Sequence, residues 1–297
     1  TFAEYAAEWL PTYKSEVTIN VYDAYASRLN QIASILPQTE MRLITPSDVQ
    51  RLYNAFADRG EGTRRKIAEA TRAVFRAAKN DGIVAISPCE NVRRKKGEVG
   101  THRNLDDWEI KLIRDTCDSE RMGIYAMVMV YAGLRRGEAL ALDIDDDVDF
   151  EKGVIHVRKA IRRERSDYII TVPKTKAGIR NVPLFPPLRD VLQGRHGSVI
   201  ISKDNKIISF SAVTDAWKRY QNHLSKIAGR NVVIRQHDCR HTFATMLYNA
   251  DVDIKTAARW MGHEDETMIM RIYAHLTEKK EENAIRKVES MLTSTSK

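Results

Sequence analysis

The chain has little cysteine and no long hydrophobic run. Its three cysteines, Cys89, Cys117 and Cys239, are odd in number and widely spaced, which argues against a disulfide framework and indicates a reducing compartment. The longest apolar run, residues 122–134, spans about 13 residues, too few to cross a bilayer and suited to a buried helix. Neither a signal peptide nor a transit peptide is recognisable, so we expect a cytoplasmic protein without a membrane partner. The chain begins at Thr1 rather than Met, as a fragment would.

The composition is that of a folded protein with an excess of positive charge. The 297 residues are 43% hydrophobic and 30% charged, which excludes wholesale disorder, and the length suffices for two domains. The formal net charge of +8 favours a polyanionic partner. Many basic proteins bind no polyanion, so charge alone leaves the partner open.

Residues 1–88 are predicted to form a helical domain. Apolar residues recur at helical spacing in four segments, 2–10, 18–36, 46–56 and 62–80. The last segment carries a dense set of cations that could contact DNA phosphates or simply form a solvated face. These candidate DNA-binding residues are Arg64, Arg65, Lys66, Arg72 and Arg76.

Residues 89–103 are predicted to form a basic linker between two domains. The segment follows Pro88 and contains a run of four cations and Gly97. Such a composition is typical of exposed connections. The run would suit a chain that follows a phosphate backbone, which adds four candidate DNA contacts. They are Arg93, Arg94, Lys95 and Lys96.

Residues 104–297 are predicted to form a second domain that mixes helices with one small antiparallel sheet. Helical patterning covers 107–117 and the apolar run to residue 134, and short strands are expected at 154–161, 168–172 and 179–184. Helices return at 211–228, 238–249, 254–261, 267–274 and 281–292. The predicted fold class is therefore mainly α with a small antiparallel β-sheet.

Several cations and one tyrosine of this domain suit phosphodiester chemistry. Metal-free cleavage needs a nucleophile, positive charge at the phosphate oxygens and a proton donor for the leaving oxygen. Arg135 follows the apolar helix, and Arg240 lies one helical turn after His237, so the latter two should project from one face. His263 follows Gly262, and Tyr273 comes ten residues later as the candidate nucleophile.

Four motifs in this order resemble those of the tyrosine recombinase (phage integrase) family. They are Leu-Arg-x-Gly-Glu at 134–138, His-x-x-Arg-His at 237–241, Gly-His at 262–263 and Tyr-x-His at 273–275, and the likeness is greatest to integrases of phages and conjugative transposons. The resemblance implies a helical core-binding domain and an α+β catalytic domain that clamp DNA. It also implies a site-specific recombinase that integrates or excises a mobile element through a 3′-phosphotyrosyl intermediate, without a cofactor.

The resemblance also implies roles for individual residues. By position, the implied catalytic residues are Arg135, Lys174, His237, Arg240, His263 and Tyr273. The arginines would clamp the phosphate, the histidines would support them, and a lysine would protonate the 5′ oxygen. Lys176 is a rival to Lys174 for that role and otherwise a candidate DNA contact. Nearby arginines should help Tyr273, whose ordinary pKa is about 10, to lose its proton.

The remaining patterns have simpler interpretations. The histidines with Cys239 fit no common zinc spacing, and the acidic run 143–149 is interpreted as a solvated loop rather than a magnesium site, so we expect no metal. Glu138 should pair with a neighbouring cation. Arg136 should face away from the phosphate, although the sequence does not exclude that it exchanges roles with Arg135.

The implied partners are double-stranded DNA at specific recombination sites and further copies of the chain, as a tetramer on DNA. The C-terminal segment would dock either on its own domain or on a neighbouring protomer, and the resemblance leaves room for an accessory DNA-bending protein. Two other functions stay open from sequence: relaxation of DNA like a type IB topoisomerase, and regulation by a non-catalytic DNA-binding protein of the same fold.

Overall fold

The chain forms two compact units, Thr1–Thr101 and His102–Lys297. The structure is a computed structural model that describes residues 1–13, 15, 17–97, 103–164, 167–173, 175–200 and 208–294. Each unit has its own hydrophobic core.

The first unit is helical, as predicted. Its helices are α1 (Phe2–Tyr13), α2 (Ile19–Ala33), α3 (Pro46–Ala55) and α4 (Glu61–Asn80). α4 is the central helix and packs against the other three, because Ile67, Thr71, Val74 and Ala78 form an inward stripe at helical spacing. The cations of α4 lie outside that stripe.

The first part of the predicted linker packs on the first unit, although its cations Arg93, Lys95 and Lys96 are exposed. Cys89 is buried in the core of the unit. Both terminal nitrogens of Arg94 donate to the Glu61 carboxylate, at 2.5 and 2.6 Å, and the amide of Gly97 donates to it at 2.7 Å. The run of cations suggested a solvated segment, but Glu61 at the start of α4 gives it a fixed partner.

The second unit is built around one buried helix. Its helices are α5 (Asp107–Asp115), α6 (Arg121–Ala132), α7 (Arg136–Ala141), α8 (Ile144–Asp147), α9 (Pro186–Leu192), α10 (Phe210–Ala228), α11 (Gln236–Asn249), α12 (Ile254–Met261) and α13 (Thr267–Ser294). α6 covers most of the predicted apolar run and packs against α5, α7, α9, α10 and α11. None of the described helices is long and apolar enough to cross a membrane.

The strands form two small antiparallel sheets instead of the single predicted one. The strands are β1 (Val148–Asp149), β2 (Val154–Val157), β3 (Ala160–Glu164), β4 (Asp167–Thr171) and β5 (Arg180–Pro183), ordered β1-β2-β5 in one sheet and β3-β4 in the other. The predicted first strand breaks at Arg158 and Lys159, because both side chains turn to the carboxylate of Asp147 at 3.0 Å.

Two further predictions for this unit are wrong. The acidic run does not form a solvated loop: residues 144–147 form α8, which Asp143 caps, and Asp147 is only 1% exposed. The two predicted C-terminal helices are a single 28-residue helix, α13. The polar stretch between them consists largely of Glu and Lys, which are good helix formers and do not break a helix.

Candidate active site

Arg135 is placed by the turn between α6 and α7. Gly133 ends α6 with a left-handed backbone, at φ +60°, and a Cβ there would lie 2.3 Å from the Phe243 ring, so a glycine is required. The chain then reverses, and Arg135 becomes the residue before α7. Its side chain is 43% exposed, which leaves the guanidinium accessible to a ligand.

A buried carboxylate orients Arg135. Glu138 accepts from the backbone amide of Arg135 at 2.8 Å and from its Nη1 at 2.9 Å. Glu138 also accepts from both terminal nitrogens of Arg180, at 3.0 and 2.9 Å. Burial alone would raise the pKa of Glu138, but the bonds and charge of Arg180, with those of Arg135, lower it to about 2. The prediction that Glu138 pairs with a neighbouring cation is confirmed.

Arg240 lies on α11 and is buried, with 4% of its surface exposed. Its guanidinium donates to the carbonyls of Gly133 and Met261 and, at 3.0 Å, to Nε2 of His263. Burial and the charge of Arg135 lower the pKa of Arg240 to about 9, which still leaves it protonated at neutral pH. A buried cation with these partners is fixed before any ligand binds.

The end of α12 collects the arginines. The carbonyls of three consecutive residues, Trp260, Met261 and Gly262, accept from Arg180, Arg240 and Arg135 respectively. Carbonyls at a helix C-terminus lack partners within the helix and carry partial negative charge, so they suit guanidinium donors. Three cations thus lie side by side, with Glu138 as the carboxylate that bridges two of them.

His263 directly follows these carbonyls and is neutral. An arginine can only donate, so Nε2 of His263 accepts from Arg240 and the ring proton lies on Nδ1. Burial, and then the charges of Arg240, Arg135 and Arg180, lower the pKa of His263 to about 4. The Nδ1 atom is buried and has no hydrogen-bond partner among the described residues.

His237 is exposed, unlike this buried group. It lies in the first turn of α11, whereas Arg240, three residues later, is buried. The two side chains are one helical turn apart but differ in their exposure to solvent. Arg136, the residue after Arg135, has its guanidinium 4.0 Å from the ring centroid of Phe210 and so makes a cation–π contact with that ring.

Tyr273 lies on α13 and is held by α11 and the turn after it. Its hydroxyl donates to the carbonyl of Val252 at 3.1 Å, and its ring meets the Tyr248 ring edge-on, with centroids 5.0 Å apart. The Tyr248 hydroxyl contacts that of Thr277 at 2.9 Å, and Thr277 in turn donates to the Tyr273 carbonyl at 2.9 Å. These contacts hold both the ring and the backbone of the candidate nucleophile.

The pKa of Tyr273 is raised, not lowered. Burial, and then the charge of Asp253, raise it to about 12, so the expectation that arginines promote its ionisation is wrong for this state of the chain. The physical reason is position: the hydroxyl is bonded to Val252 on the α11–α12 turn and not to the arginine cluster. The candidate nucleophile and the arginine cluster thus lie in one unit, but the Tyr273 hydroxyl is not bonded to the cluster.

The predicted lysines belong to the turn between β4 and β5. Lys174 lies outside the described residues, and Lys176 is exposed at the start of a short 3-10 turn. The ends of the turn are closely packed, because a Cβ on Gly178 would lie 2.4 Å from that of Pro173.

The predicted DNA contacts of the first unit lie mostly on its surface. Those with exposed side chains are Arg65, Lys66, Arg72, Arg76, Arg93, Lys95 and Lys96. Arg64 donates to the carbonyls of Arg59 and Lys95, and Arg94 is bound to Glu61. Arg64 and Arg94 therefore hold the unit together, whereas the exposed residues are available to a partner.

The sequence interpretation missed Arg180. A signal was present, since Arg180 alternates with Val182 and Leu184 along β5 and so points to the same face as these core residues. A cation on the buried face of a strand must have buried partners, which here are Glu138 and two carbonyls.

Comparison with known proteins identifies the family. The profile of the Phage integrase family matches residues 103–280, and that of the phage integrase N-terminal SAM-like domain matches residues 1–57. The chain therefore belongs to the phage integrase family. It is a tyrosine-type site-specific recombinase, as its curated relatives indicate.

Two of these relatives are similar over most of the chain. A tyrosine recombinase XerC-like protein of Caldanaerobacter subterraneus subsp. tengcongensis is 26% identical over 278 residues, covering 83% of this chain and 71% of the relative. The integrase of Mycobacterium phage L5 is 24% identical over 309 residues, covering 100% of this chain and 80% of the relative.

Solved structures share the fold. The Tn1549 transposon integrase in complex with transposon right end DNA has a TM-score of 0.78 at 18% identity, over 97% of this chain and 99% of that one. A lambda integrase tetramer bound to a Holliday junction has a TM-score of 0.65 at 19% identity, over 89% of this chain and 77% of that one.

Proposed function

We propose that the chain cuts and rejoins DNA strands at specific sites, with Tyr273 as nucleophile and the scissile phosphate held beside Arg135, Arg240 and His263. The observation that carries the proposal is the cluster at the end of α12, where consecutive carbonyls hold three guanidinium groups. Fixed cations stabilise negative charge that develops on phosphate oxygens without having to reorganise during the reaction.

The proposed reaction balances without a cofactor. The Tyr273 oxygen forms a bond to phosphorus, and the bond from phosphorus to the 5′ oxygen breaks. The leaving oxygen takes a proton from Lys174 or Lys176, and the phenol proton passes to a neighbouring base, either His237 or His263 once its Nε2 no longer accepts from Arg240. In the second step, the 5′ hydroxyl of a partner strand attacks the phosphorus and gives its proton to the lysine, while the bond from phosphorus to Tyr273 breaks and the phenol regains its proton from the base.

The first event in this proposal is the release of Tyr273. Its hydroxyl must leave Val252 and its ring must leave Tyr248 before it can reach a phosphate. Moving the phenol out of its buried position removes the burial that raises its pKa. The positive charges of the arginines would then lower the pKa, because they favour the ionised phenolate. The same side chain is thus inert in the free chain and reactive beside the arginines.

Duplex DNA at specific sites is the proposed partner, and a tetramer on DNA is the proposed working assembly. Support comes from the exposed cations of the first unit and from relatives of known structure described on DNA, including a lambda integrase tetramer on a Holliday junction. The proposed domains are residues 1–88 and 104–297, joined by residues 89–103, and the end of α13 from Glu281 onward is proposed to dock in cis or in trans. An accessory DNA-bending protein and action at the nucleoid in a bacterial cytoplasm complete the proposal.

A trapping experiment tests the nucleophile. On a candidate site that carries a nick next to the scissile phosphate, the wild-type chain should form a covalent adduct, because the short cleaved fragment diffuses away and prevents religation. Tyr273→Phe should bind the same DNA and form no adduct. Tyr248→Phe is the matched control, since Tyr248 is the aromatic neighbour of Tyr273 and its variant should still react. An adduct with Tyr273→Phe would refute the assignment.

A second comparison tests the clamp. Arg135→Lys and Arg240→Lys should slow adduct formation far more than they weaken DNA binding, because one phosphate contact among many contributes little to affinity. Lysine keeps the charge but loses the planar fork. A chelator should leave the rate unchanged, and a two-site exchange assay beside a supercoil relaxation assay separates recombination from simple relaxation.

A further inference from the structure

Arg180 has no part in the reaction described above, yet it is among the most completely bonded side chains of the second unit. Its side chain is 2% exposed. Its Nε donates to the carbonyl of Trp260 at 2.7 Å, and its Nη1 donates to the carbonyl of Gly178 at 3.0 Å. Its two terminal nitrogens also hold Glu138. A buried cation with this many partners fixes the geometry of whatever it joins.

These partners come from three segments that serve the site. Glu138 orients Arg135, and Trp260 begins the row of carbonyls that holds the arginines. Gly178 ends the turn that carries the candidate lysines, and Arg180 itself begins β5, which leaves that turn. One side chain therefore connects the lysine turn directly to the arginine cluster.

The turn has little freedom to adjust by itself. Gly178 is buried, and a Cβ at this position would meet Pro173 at the other end of the turn at 2.4 Å. The two described ends of the turn, Pro173 and Gly178, are therefore packed against each other. Arg180 is the first residue of β5, directly after the turn. The position of the turn relative to the arginine cluster therefore depends on the hydrogen bonds that Arg180 makes to Trp260 and Glu138.

We propose that Arg180 is a positioning residue that fixes the lysine turn relative to the arginine cluster, and thereby aligns the general acid with the leaving 5′ oxygen. The inference rests on the proposed function, because it assumes that a lysine of the turn protonates this oxygen. The simpler alternative is that Arg180 only neutralises Glu138 and stabilises the fold.

The nature of the leaving atom separates these two roles. In an ordinary substrate the 5′ oxygen needs a proton as its bond to phosphorus breaks. In a 5′-bridging phosphorothiolate, a sulfur replaces that oxygen and leaves as a thiolate, because a thiol is far more acidic than an alcohol. A misplaced lysine therefore slows cleavage of the oxygen substrate but hardly that of the sulfur substrate.

The experiment measures adduct formation by the full chain on nicked sites of both kinds, for wild type and for Arg180→Lys. Lysine keeps the charge but cannot bond Glu138, Trp260 and Gly178 together. General acids contribute roughly 10²- to 10⁴-fold, so we expect the ratio of the oxygen rate to the sulfur rate to fall at least about tenfold. The ratio is insensitive to the fraction of folded protein, because both rates come from one preparation.

Two further variants keep the test decisive. Gly178→Ala leaves Arg180 intact but disturbs the packed end of the turn, and it should lower the same ratio. Arg103→Lys is the matched control, since Arg103 also binds a buried carboxylate with both terminal nitrogens, that of Glu109, and donates to the Val233 carbonyl. This control should keep the wild-type ratio.

A wild-type ratio in Arg180→Lys would overturn the proposal, whether both rates fall together or neither falls. A lowered ratio in Arg103→Lys would overturn it as well, since any loss of such a pair would then have the same effect. Absence of adduct from wild type on both substrates would refute the proposed function instead.

Discussion

Gly262→Ala is the substitution that most directly tests the rigidity of the arginine cluster. Gly262 ends α12 with a left-handed backbone, at φ +65°. A Cβ built there would lie 2.7 Å from Nη1 and 2.8 Å from Cζ of Arg180. The guanidinium of Arg180 is buried and bonded on several sides, so it cannot move aside without losing partners.

The expected loss of stability has two parts. A residue with a Cβ in the left-handed region costs roughly 1–2 kcal/mol. Displacing Arg180 breaks at least one hydrogen bond to a charged group, each of which contributes roughly 1.5–3 kcal/mol. The sum is roughly 2.5–5 kcal/mol, which for a unit of this size corresponds to a fall in Tm of about 5–20 °C.

Gly229→Ala isolates the contribution of the contact. Gly229 ends α10 with nearly the same backbone, at φ +63°, but a Cβ there would meet nothing within 4 Å. Calorimetry of the full chain should show a loss of roughly 1–2 kcal/mol for this control. The additional loss in Gly262→Ala then measures what it takes to displace Arg180.

The same pair of variants tests the site. The carbonyl of Gly262 accepts from Arg135, so a shift at this residue moves an arginine of the proposed clamp. A displacement of about 1 Å can cost roughly 100-fold in rate, and we expect adduct formation to slow accordingly in Gly262→Ala but not in Gly229→Ala. Equal stability and equal rates in the two variants would refute the rigid cluster, because Arg180 would then have room to yield.

Two other predictions concern Tyr273 and His263. Tyr248→Phe removes the hydroxyl contact with Thr277, a hydrogen bond with a net contribution of roughly 0.5–1.5 kcal/mol. Single-turnover adduct formation should become about 2- to 12-fold faster, because Tyr273 would be released more easily. An unchanged or slower rate would contradict the proposal that these contacts hold Tyr273 back. The pKa of His263 is about 4 in the folded chain against an ordinary 6.5, so the unfolded chain binds the proton more readily and stability should fall as the pH drops from about 6.5 towards 4. Melts of His263→Gln should lose this part of the pH dependence, and the same pH profile in both proteins would place the proton uptake elsewhere.

The sequence predicted which residues form the candidate site better than it predicted their state. Arg135, Arg240 and His263 could be proposed from motifs because each motif is local. The causes of the raised pKa of Tyr273 are not local, since they are burial against other helices and the charge of Asp253, in the turn between two other helices, and the hydroxyl is held there by the Val252 carbonyl. A pattern on one helix carries no information about which carbonyl of another segment it meets.

The predictions of individual segments were wrong where contacts with residues far away in the sequence outweighed the local sequence pattern. Residues 154–161 alternate like a single strand, but Asp147 draws Arg158 and Lys159 out of the ladder and divides the strand between two sheets. Residues 93–96 were expected to form part of a linker between domains, yet Glu61 binds Arg94 and the amide of Gly97 and so holds the segment on the first unit. In both cases a carboxylate distant in sequence decided the outcome.

The two halves of the site are held by contacts of very different strength, which bears on how cleavage is controlled. The arginines are fixed by buried carbonyls and Glu138 when the unit folds, so they need no rearrangement to receive a phosphate. Tyr273 is held by a hydrogen bond to Val252, roughly 1 kcal/mol, and a ring pair with Tyr248, roughly 0.5–1.5 kcal/mol. Specific DNA complexes typically form with roughly 11–15 kcal/mol. The free energy of binding to a specific site is therefore several times larger than the free energy needed to release Tyr273. The free energy of a single transient phosphate contact is not.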